Sequence, residues 1–122
     1  MASVGTYDIA IRRGSTAPAV TFVMRVRDAD GAVTVLDMTG SIMVLTIKGP
    51  GVSIVKSSAD GGLVVDTETG RVTWNRTLAE SRKFPAGKAI PYELERRVAG
   101  DGGEQRVYVK GTITSEGGIS GD

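Results

Sequence analysis

The segment from Asp37 to Lys48 constrains the fold of this chain more than any other. A polar turn, Asp-Met-Thr-Gly, leads directly into residues 41–48, which show no helical pattern. Successive side chains of a strand point to opposite faces, so each face can be read separately. One face carries Ile42, Val44 and Thr46, and the other carries Met43, Leu45 and Ile47. Because both faces are largely apolar, the pattern predicts a central strand around which the other strands are arranged.

The composition limits the chemistry that this chain can perform. Its 122 residues are the usual size of one domain, and they include no cysteine and no histidine. These absences remove disulfides, the usual zinc sites, the Ser-His-Asp and Cys-His triads and the commonest general base near neutral pH. The sequence therefore predicts a protein that is not an enzyme, with no catalytic residue, no metal ligand and no cofactor.

The charge pattern bears on the partners. Fifteen Lys and Arg balance fourteen Asp and Glu, which gives a formal net charge of +1 with the two signs interspersed. Nucleic-acid binding needs a basic stripe, so we expect no nucleic-acid partner. The apolar runs are far shorter than the ~20 residues of a membrane helix, and the first residues do not resemble a signal peptide. We therefore expect synthesis in the cytosol and no membrane partner.

The remaining pattern predicts an all-β fold. Seventeen glycines indicate many tight turns, and the short alternating runs are typical of strands. We predict a single immunoglobulin-like antiparallel β-sandwich of about 7–9 strands. It has at most one short helix near residues 77–83, where Thr77 and Glu80 have the spacing of a capping box. The predicted core includes Phe22, Met24, Leu45, Ile47, Val72, Trp74, Tyr92 and Leu94.

The same pattern gives the domain bounds. Residues 1–6 are small and polar and are predicted to be an N-terminal arm. Residues 7–114 form the sandwich domain, in which Tyr7–Arg12 is a first strand at a sheet edge. Residues 115–122 contain mostly Gly and Ser after Glu116 and are predicted to be a flexible C-terminal tail.

Three short motifs have both a chemical and a structural interpretation. Asp28 and Asp30 precede a glycine as in a fragment of a calcium loop, but the set of oxygen ligands is incomplete and a β-turn is favoured. Glu93 and Glu95 share a strand face, where they could act as acid and base; pairing with neighbouring Arg and Lys side chains is favoured. The basic corner at residues 12–15 could meet a phosphate or a protein partner, and a plain surface corner is favoured.

The order of several motifs resembles one known class. It is similar to the small immunoglobulin-like structural proteins of tailed bacteriophages, such as the N-terminal domain of phage baseplate upper proteins. Met38 stands where that class usually has leucine. In chain order the motifs are Arg-Gly-Ser-Thr (13–16), Asp-Ala-Asp-Gly (28–31), Asp-Met-Thr-Gly (37–40), Thr-Gly-Arg-Val-Thr-Trp (69–74), Phe-Pro-Ala-Gly-Lys (84–88), Tyr-Glu-Leu-Glu (92–95) and Gly-Thr-Ile-Thr (111–114).

The resemblance implies a virion structural protein without catalysis, which acts through protein–protein interfaces. It would serve as a tail, neck, baseplate or fibre-attachment adaptor, or as a capsid decoration protein. Its partners would be other virion proteins and copies of itself, and it would have no small-molecule substrate. The alternative is a soluble carbohydrate- or ligand-binding β-sandwich. Unpaired strand edges favour pairing with a neighbour, so the candidate interface is the first strand and the corner after it: Tyr7, Ile9, Ile11, Arg12 and Arg13.

Overall fold

The structure is a computed structural model that describes residues 5–12, 19–27, 29–36, 38–85, 87–98 and 105–116. This part of the chain contains strands and one short helix. The strands are β1 (Gly5–Thr6), β2 (Ile9–Arg12), β3 (Val20–Val23), β4 (Arg25–Arg27), β5 (Val33–Val35), β6 (Ser41–Gly49), β7 (Val52–Ser57), β8 (Val64–Asp66), β9 (Arg71–Trp74), β10 (Ala89–Val98) and β11 (Gln105–Glu116), and the helix is α1 (Leu78–Arg82).

Two sheets form the sandwich. The larger sheet has the order β1-β11-β10-β6-β7, and β2 also pairs with β11. The smaller sheet has the order β3-β9-β8, while β4 and β5 form a separate hairpin. An immunoglobulin-like sandwich also divides its strands between two sheets, but its first strand lies in the sheet of the second, whereas here the first strand pairs with β11 of the larger sheet. The predicted all-β sandwich fold is confirmed.

Two of the strands are interrupted. Thr6 lies opposite Lys110 and Ile9 lies opposite Ile113, so β1 and β2 keep one register on β11. Only Met24 separates β3 from β4. Because of these interruptions, the described part of the chain has eleven strands, more than the predicted 7–9.

Side chains from both sheets meet in one hydrophobic core. All eight residues that the sequence placed in the core are buried, and Trp74 has no exposed surface. The ring centroids of Phe22 on β3 and Tyr92 on β10 lie 5.7 Å apart, which joins the two sheets directly. Since the chain has no disulfide, this aromatic and aliphatic packing holds the sheets together.

The predicted central strand is β6, which lies between β10 and β7 in the larger sheet. Met43, Leu45 and Ile47 have no exposed surface and face the core. The opposite face is more exposed, as the half-buried Thr46 shows. A turn at Pro50 and Gly51 joins β6 to β7. Gly51 has φ 76°, a left-handed backbone conformation that glycine adopts without steric strain.

The short helix has the capping box that the sequence predicted. The backbone N–H of Glu80 donates to the Thr77 hydroxyl over 3.1 Å. In return, the Glu80 carboxylate accepts from the backbone N–H of Thr77 over 2.9 Å. These bonds satisfy two donors at the start of a helix that is too short to be stable alone.

Both ends of the sandwich extend beyond the predicted bounds, and this corrects two expectations. Gly5–Thr6 belongs to β1 instead of a free arm, and β11 continues to Glu116, inside the expected tail. Ser115 is fully buried opposite Ile11. The sequence does not indicate these strand ends, because the small and polar residues there have no apolar alternation. Residues 1–4 and 117–122 of the expected arm and tail lie outside the described residues.

The first strand also differs in direction from the prediction. β1 and β2 run parallel to β11, whereas the other described pairings are antiparallel. Gly111 lies where the two strands come closest. A Cβ atom built on Gly111 would overlap the carbonyl oxygen of Tyr7, so only glycine allows this approach.

We expect Gly111→Ala to destabilise the fold by about 1–3 kcal/mol, because the added methyl group would push the backbone of Tyr7 away from β11. The free energy of unfolding from urea titration measures this effect. Gly49→Ala is the control, since its methyl group would meet only side-chain atoms of Ile90 and Pro91, the nearest at 3.0 Å. Equal losses in the two variants would contradict the predicted strand clash.

Candidate interaction surface

The structure divides the predicted interface residues between the core and the surface. Ile9 and Ile11 are buried in the core, so their side chains cannot contact a partner. Tyr7 is 49 % exposed. The backbone of Arg12 pairs with Glu116, but the Arg12 side chain and the whole of Arg13 lie outside the described residues. A contact at this strand would therefore use its backbone edge and Tyr7.

Tyr7 and Asp8 fasten the first strand at the interruption between β1 and β2. The backbone N–H of Tyr7 donates to the carbonyl of Lys110 over 3.0 Å. The Asp8 carboxylate accepts from the backbone N–H of Thr112 over 3.1 Å and from its hydroxyl over 3.2 Å. The hydroxyl of Tyr92 donates to the carbonyl of Tyr7. Burial raises the pKa of Tyr92, and Tyr7 and Asp8 raise it further, so this hydroxyl stays protonated as a donor.

A groove separates the first strand from β3 of the smaller sheet. Its volume is about 340 Å³, and its lining is uncharged: Thr6, Tyr7, Thr21, Phe22, Val23 and Val109. The edge of the Tyr7 ring meets the Phe22 ring at a centroid distance of 6.1 Å and an angle of 86°. The groove is therefore lined in part by an aromatic pair, and its walls come from the first strand and β11 of the larger sheet and from β3 of the smaller sheet.

The outer face of the smaller sheet and its hairpin carries four exposed valines among threonine, arginine and aspartate side chains. We call it the valine face and define it by Val23, Val33, Val35 and Val64. Their side chains are 39–54 % exposed. On β3, Val20 and Phe22 are buried while Thr21 and Val23 are exposed, so this face points away from the core. Apolar surface left in water has an unfavourable hydration free energy, and a contiguous patch often marks an interface.

The hairpin β4–β5 continues the smaller sheet. The backbone N–H of Met24 donates to Gly70 over 2.7 Å, and the carbonyl of Met24 accepts from Leu36 over 3.0 Å. A Cβ atom built on Gly70 would lie 2.7 Å from Cγ1 of Val35, so Val35 packs directly over this glycine. Val33 and Val35 therefore adjoin the strand face that carries Val23.

Arginine side chains border the valine face. Arg25 lies opposite Val35, and Arg27 lies opposite Val33. Arg71 lies between Val23 and Asp66 in the smaller sheet. Hydrogen bonds from the backbone and side chain of Thr69 lower the pKa of Asp66, and this carboxylate remains ionised beside Arg71. Arginine is one of the residue types enriched at protein interfaces.

The valine face was not predicted from the sequence. Alternation along β3 showed which side chains share a face, but Val23 continues a row of Thr21 and Arg25 that looks solvated. The signal that could have found it is the pair Val33 and Val35 directly across from Arg25 and Arg27. That pairing becomes visible only when the register of the hairpin is known.

The motifs with an alternative chemical interpretation form no cluster in the described residues. Glu93 lies opposite Lys110, and Glu95 forms an ion pair with Arg97. Gly31 has φ 85°, as a turn requires, while Asp28 lies outside the described residues. Among the described residues, no group of three or more Asp and Glu side chains is placed to hold a metal ion.

The carboxylate of Glu80 links the smaller sheet to the larger sheet. Glu80 accepts from the indole N–H of Trp74 on β9 over 3.3 Å, and its other oxygen lies 2.9 Å from Nζ of Lys56 on β7. Burial alone would raise the pKa of Glu80. Hydrogen bonds from Lys56, Thr77 and Trp74, with the positive charge of Lys56, outweigh burial and hold this pKa below its ordinary value.

Comparisons with known proteins do not assign the chain to a family. No protein-family model matches the sequence, and no curated protein matches it either. In the part of the chain that the structure describes, no helix has the length and apolar character needed to cross a membrane. The function must therefore be argued from the surfaces described above.

We expect Glu80→Gln to lower the free energy of unfolding at pH 7 by about 1–3 kcal/mol, because the variant loses charge-assisted bonds. The wild-type contribution is complete above the unfolded pKa of about 4.3 and is lost as the pH falls through the lower folded pKa. The difference between variant and wild type should therefore shrink toward pH 2–3. Urea titrations at pH 7 and at low pH measure it.

Glu93→Gln is the matched control for this experiment, because Glu93 is exposed on the larger sheet. Its effect should stay within about 0.5 kcal/mol at both pH values. A Glu80→Gln effect that stays constant down to pH 2 would contradict the proposed linkage.

Proposed function

We propose that this chain is a bacteriophage virion structural protein that acts through protein–protein interfaces. The observation that carries the proposal is the valine face, where four exposed valines and bordering arginines lie on one side of a rigid sheet. A partner that covers this face would remove apolar surface from water, at about 25 cal/mol per Å². Assembly with neighbouring proteins supplies such a partner.

The resemblance to phage structural proteins supports the class of assembly. Several of the motifs that carry this resemblance lie at turns and strand pairings of the structure, and the common order of the motifs along the chain is the basis of the resemblance. Gly40 has φ 73° at the turn before β6, and Gly70 has φ 72° at the turn before β9. The hydroxyl of Tyr92 donates to the carbonyl of Tyr7, and Ile113 and Thr114 of the last motif pair with β2 of the first strand. An adaptor of a tail, neck, baseplate or fibre, or a capsid decoration protein, would use this scaffold to present its surface.

The alternative, a carbohydrate- or ligand-binding sandwich, has less support. Sugar binding commonly uses an exposed aromatic ring as a stacking platform. Trp74, Phe84, Phe22 and Tyr92 are buried, which leaves Tyr7 and the half-buried Tyr108. A second cavity of about 220 Å³ lies on the larger sheet and is lined by Thr46, Lys48, Pro91, Tyr92 and Glu93, but no exposed aromatic face covers it.

The proposal is tested by particle incorporation. We expect the chain, expressed from its own genomic setting, to copurify with phage particles on a density gradient at a fixed ratio to a major structural protein. Val33→Glu and Val64→Glu should each lower this ratio at least tenfold, because a charge on the valine face would be desolvated at the interface. Quantitative mass spectrometry of the particle band measures the ratio.

Val55→Glu is the matched control, since Val55 is 62 % exposed on β7, on the other sheet. It should be incorporated at the wild-type ratio, and all three variants should melt within a few degrees of the wild type. Recovery of the wild-type chain only outside the particle band, or glycan binding by the purified protein, would count against the proposal and favour the alternative.

A further inference from the structure

The smaller sheet has an open edge along β3 and β4. Both backbone groups of Met24 are bonded toward Gly70 and Leu36, on the side of β9 and β5. Backbone groups alternate between the two sides of a strand, so those of Thr21, Val23 and Arg25 point the other way. Among the described strands, β3 pairs with β9 alone and β4 with β5 alone. Within the described part of the chain, the outward N–H and C=O groups of β3 therefore pair with no strand.

The β3 part of this edge lacks proline, bulges and charged side chains, whereas the β4 part carries Arg25 and Arg27. Residues 20–23, Val-Thr-Phe-Val, contain no proline, no glycine and no charge, and the burial pattern alternates without a bulge. Proteins commonly protect edges with such features. The first strand, by contrast, is interrupted at Tyr7 and Asp8, where the Asp8 side chain takes the bonds of Thr112.

The surroundings of the edge select the chemistry of an added strand. The uncharged groove beside Phe22 and Val23 accepts apolar side chains. Further along, Arg25 is exposed opposite Val35 and makes no ion pair with a described residue, while Arg27 donates to the carbonyl of Gly31. Opposite charges directly across a ladder stabilise the pair of strands. An added strand is therefore favoured if carboxylates face the two arginines and apolar residues face the groove.

We propose that this edge binds an extended segment of a neighbouring protein by antiparallel β-augmentation. The segment carries two acidic residues spaced i and i+2, followed by β-branched apolar residues. Main-chain hydrogen bonds to Thr21 and Val23 supply affinity, and Arg25, Arg27 and the groove supply specificity. The inference deepens the proposed function and rests on it for the identity of the neighbour as a virion component, although the edge itself is independent of it.

The test uses the full chain and a fluorescent peptide with blocked termini, Glu-Thr-Glu-Val-Val-Val-Thr. In the antiparallel register, its two Glu side chains face Arg27 and Arg25. Its three valines lie opposite Met24, Val23 and Phe22, beside the groove, and their side chains alternate between the two faces of the sheet. We expect saturable binding by fluorescence anisotropy. A peptide with Lys in place of both Glu residues should bind at least tenfold more weakly, because it places like charges across the ladder.

Three variants locate the binding. Arg25→Glu should abolish the preference between the Glu and Lys peptides, since Arg27 keeps one positive charge on the edge. Arg71→Glu, on the same sheet face but away from the edge, should leave the preference within about twofold. Thr21→Pro should weaken binding at least tenfold, because it removes an outward N–H that no described strand uses. Thr21→Ala is its control, and both variants should keep the melting temperature within a few degrees.

Several results would overturn the inference. They are equal binding of the Glu and Lys peptides, no saturable binding, or undiminished binding to Thr21→Pro. Sedimentation of the full chain as a dimer that Thr21→Pro dissociates would assign the edge to a second copy. Binding that appears only after deletion of residues 2–4 would assign it to the chain's own first residues. Peptide binding by a chain absent from particles would reject the proposed function alone, and incorporation without peptide binding would reject this inference alone.

Discussion

The contact between Phe22 and Tyr92 is the interaction on which the rest of the structure depends. It joins the two sheets across the core, at a centroid distance of 5.7 Å, in a chain that has no disulfide to do so. Tyr92 also donates its hydroxyl to the carbonyl of Tyr7 and thereby holds the first strand. One tyrosine thus fixes the position of β3 and of β1. These are the two strands that border the groove, so the geometry of the groove is a consequence of core packing.

The same contact explains why the surface of β3 can be both apolar and well ordered. Phe22 is held from the core side, and Val23, the next residue, faces solvent on the opposite side of the same strand. An apolar side chain on a mobile loop would lose conformational entropy when it met a partner. Val23 lies on β3, where the preceding residue, Phe22, is held in the core, so most of the conformational entropy of Val23 is already lost on folding. The valine face and the open edge are therefore preorganised.

The sequence predicted the features that depend on local alternation or local hydrogen bonding. The core side chains, the central strand and the capping box of Thr77 and Glu80 all belong to this group, because each is decided within a few residues. The parallel pairing of β2 with β11 was not predictable, since it joins residues about a hundred positions apart, such as Ile9 and Ile113. Ile9 and Ile11 were assigned to an interface because an edge strand was expected to be exposed, but their side chains face the core. The valine face was not predictable for a related reason, since Val23 and Val64 share one face only through the register of β3 and β8 on β9.

The two sheets differ in how they end, and this difference suggests where the molecule is incomplete. The larger sheet is extended by its own first strand, and the glycine at position 111 permits that close approach. The smaller sheet ends at β3 in the described part of the chain, with the groove beside it and the valine face adjoining it. A fold that worked without a partner would gain solubility from charged residues at Val23 or Val33, because exposed apolar surface favours aggregation. A strand added at β3 would extend the smaller sheet and cover part of Val23, so one neighbour could satisfy the edge and the adjoining face together.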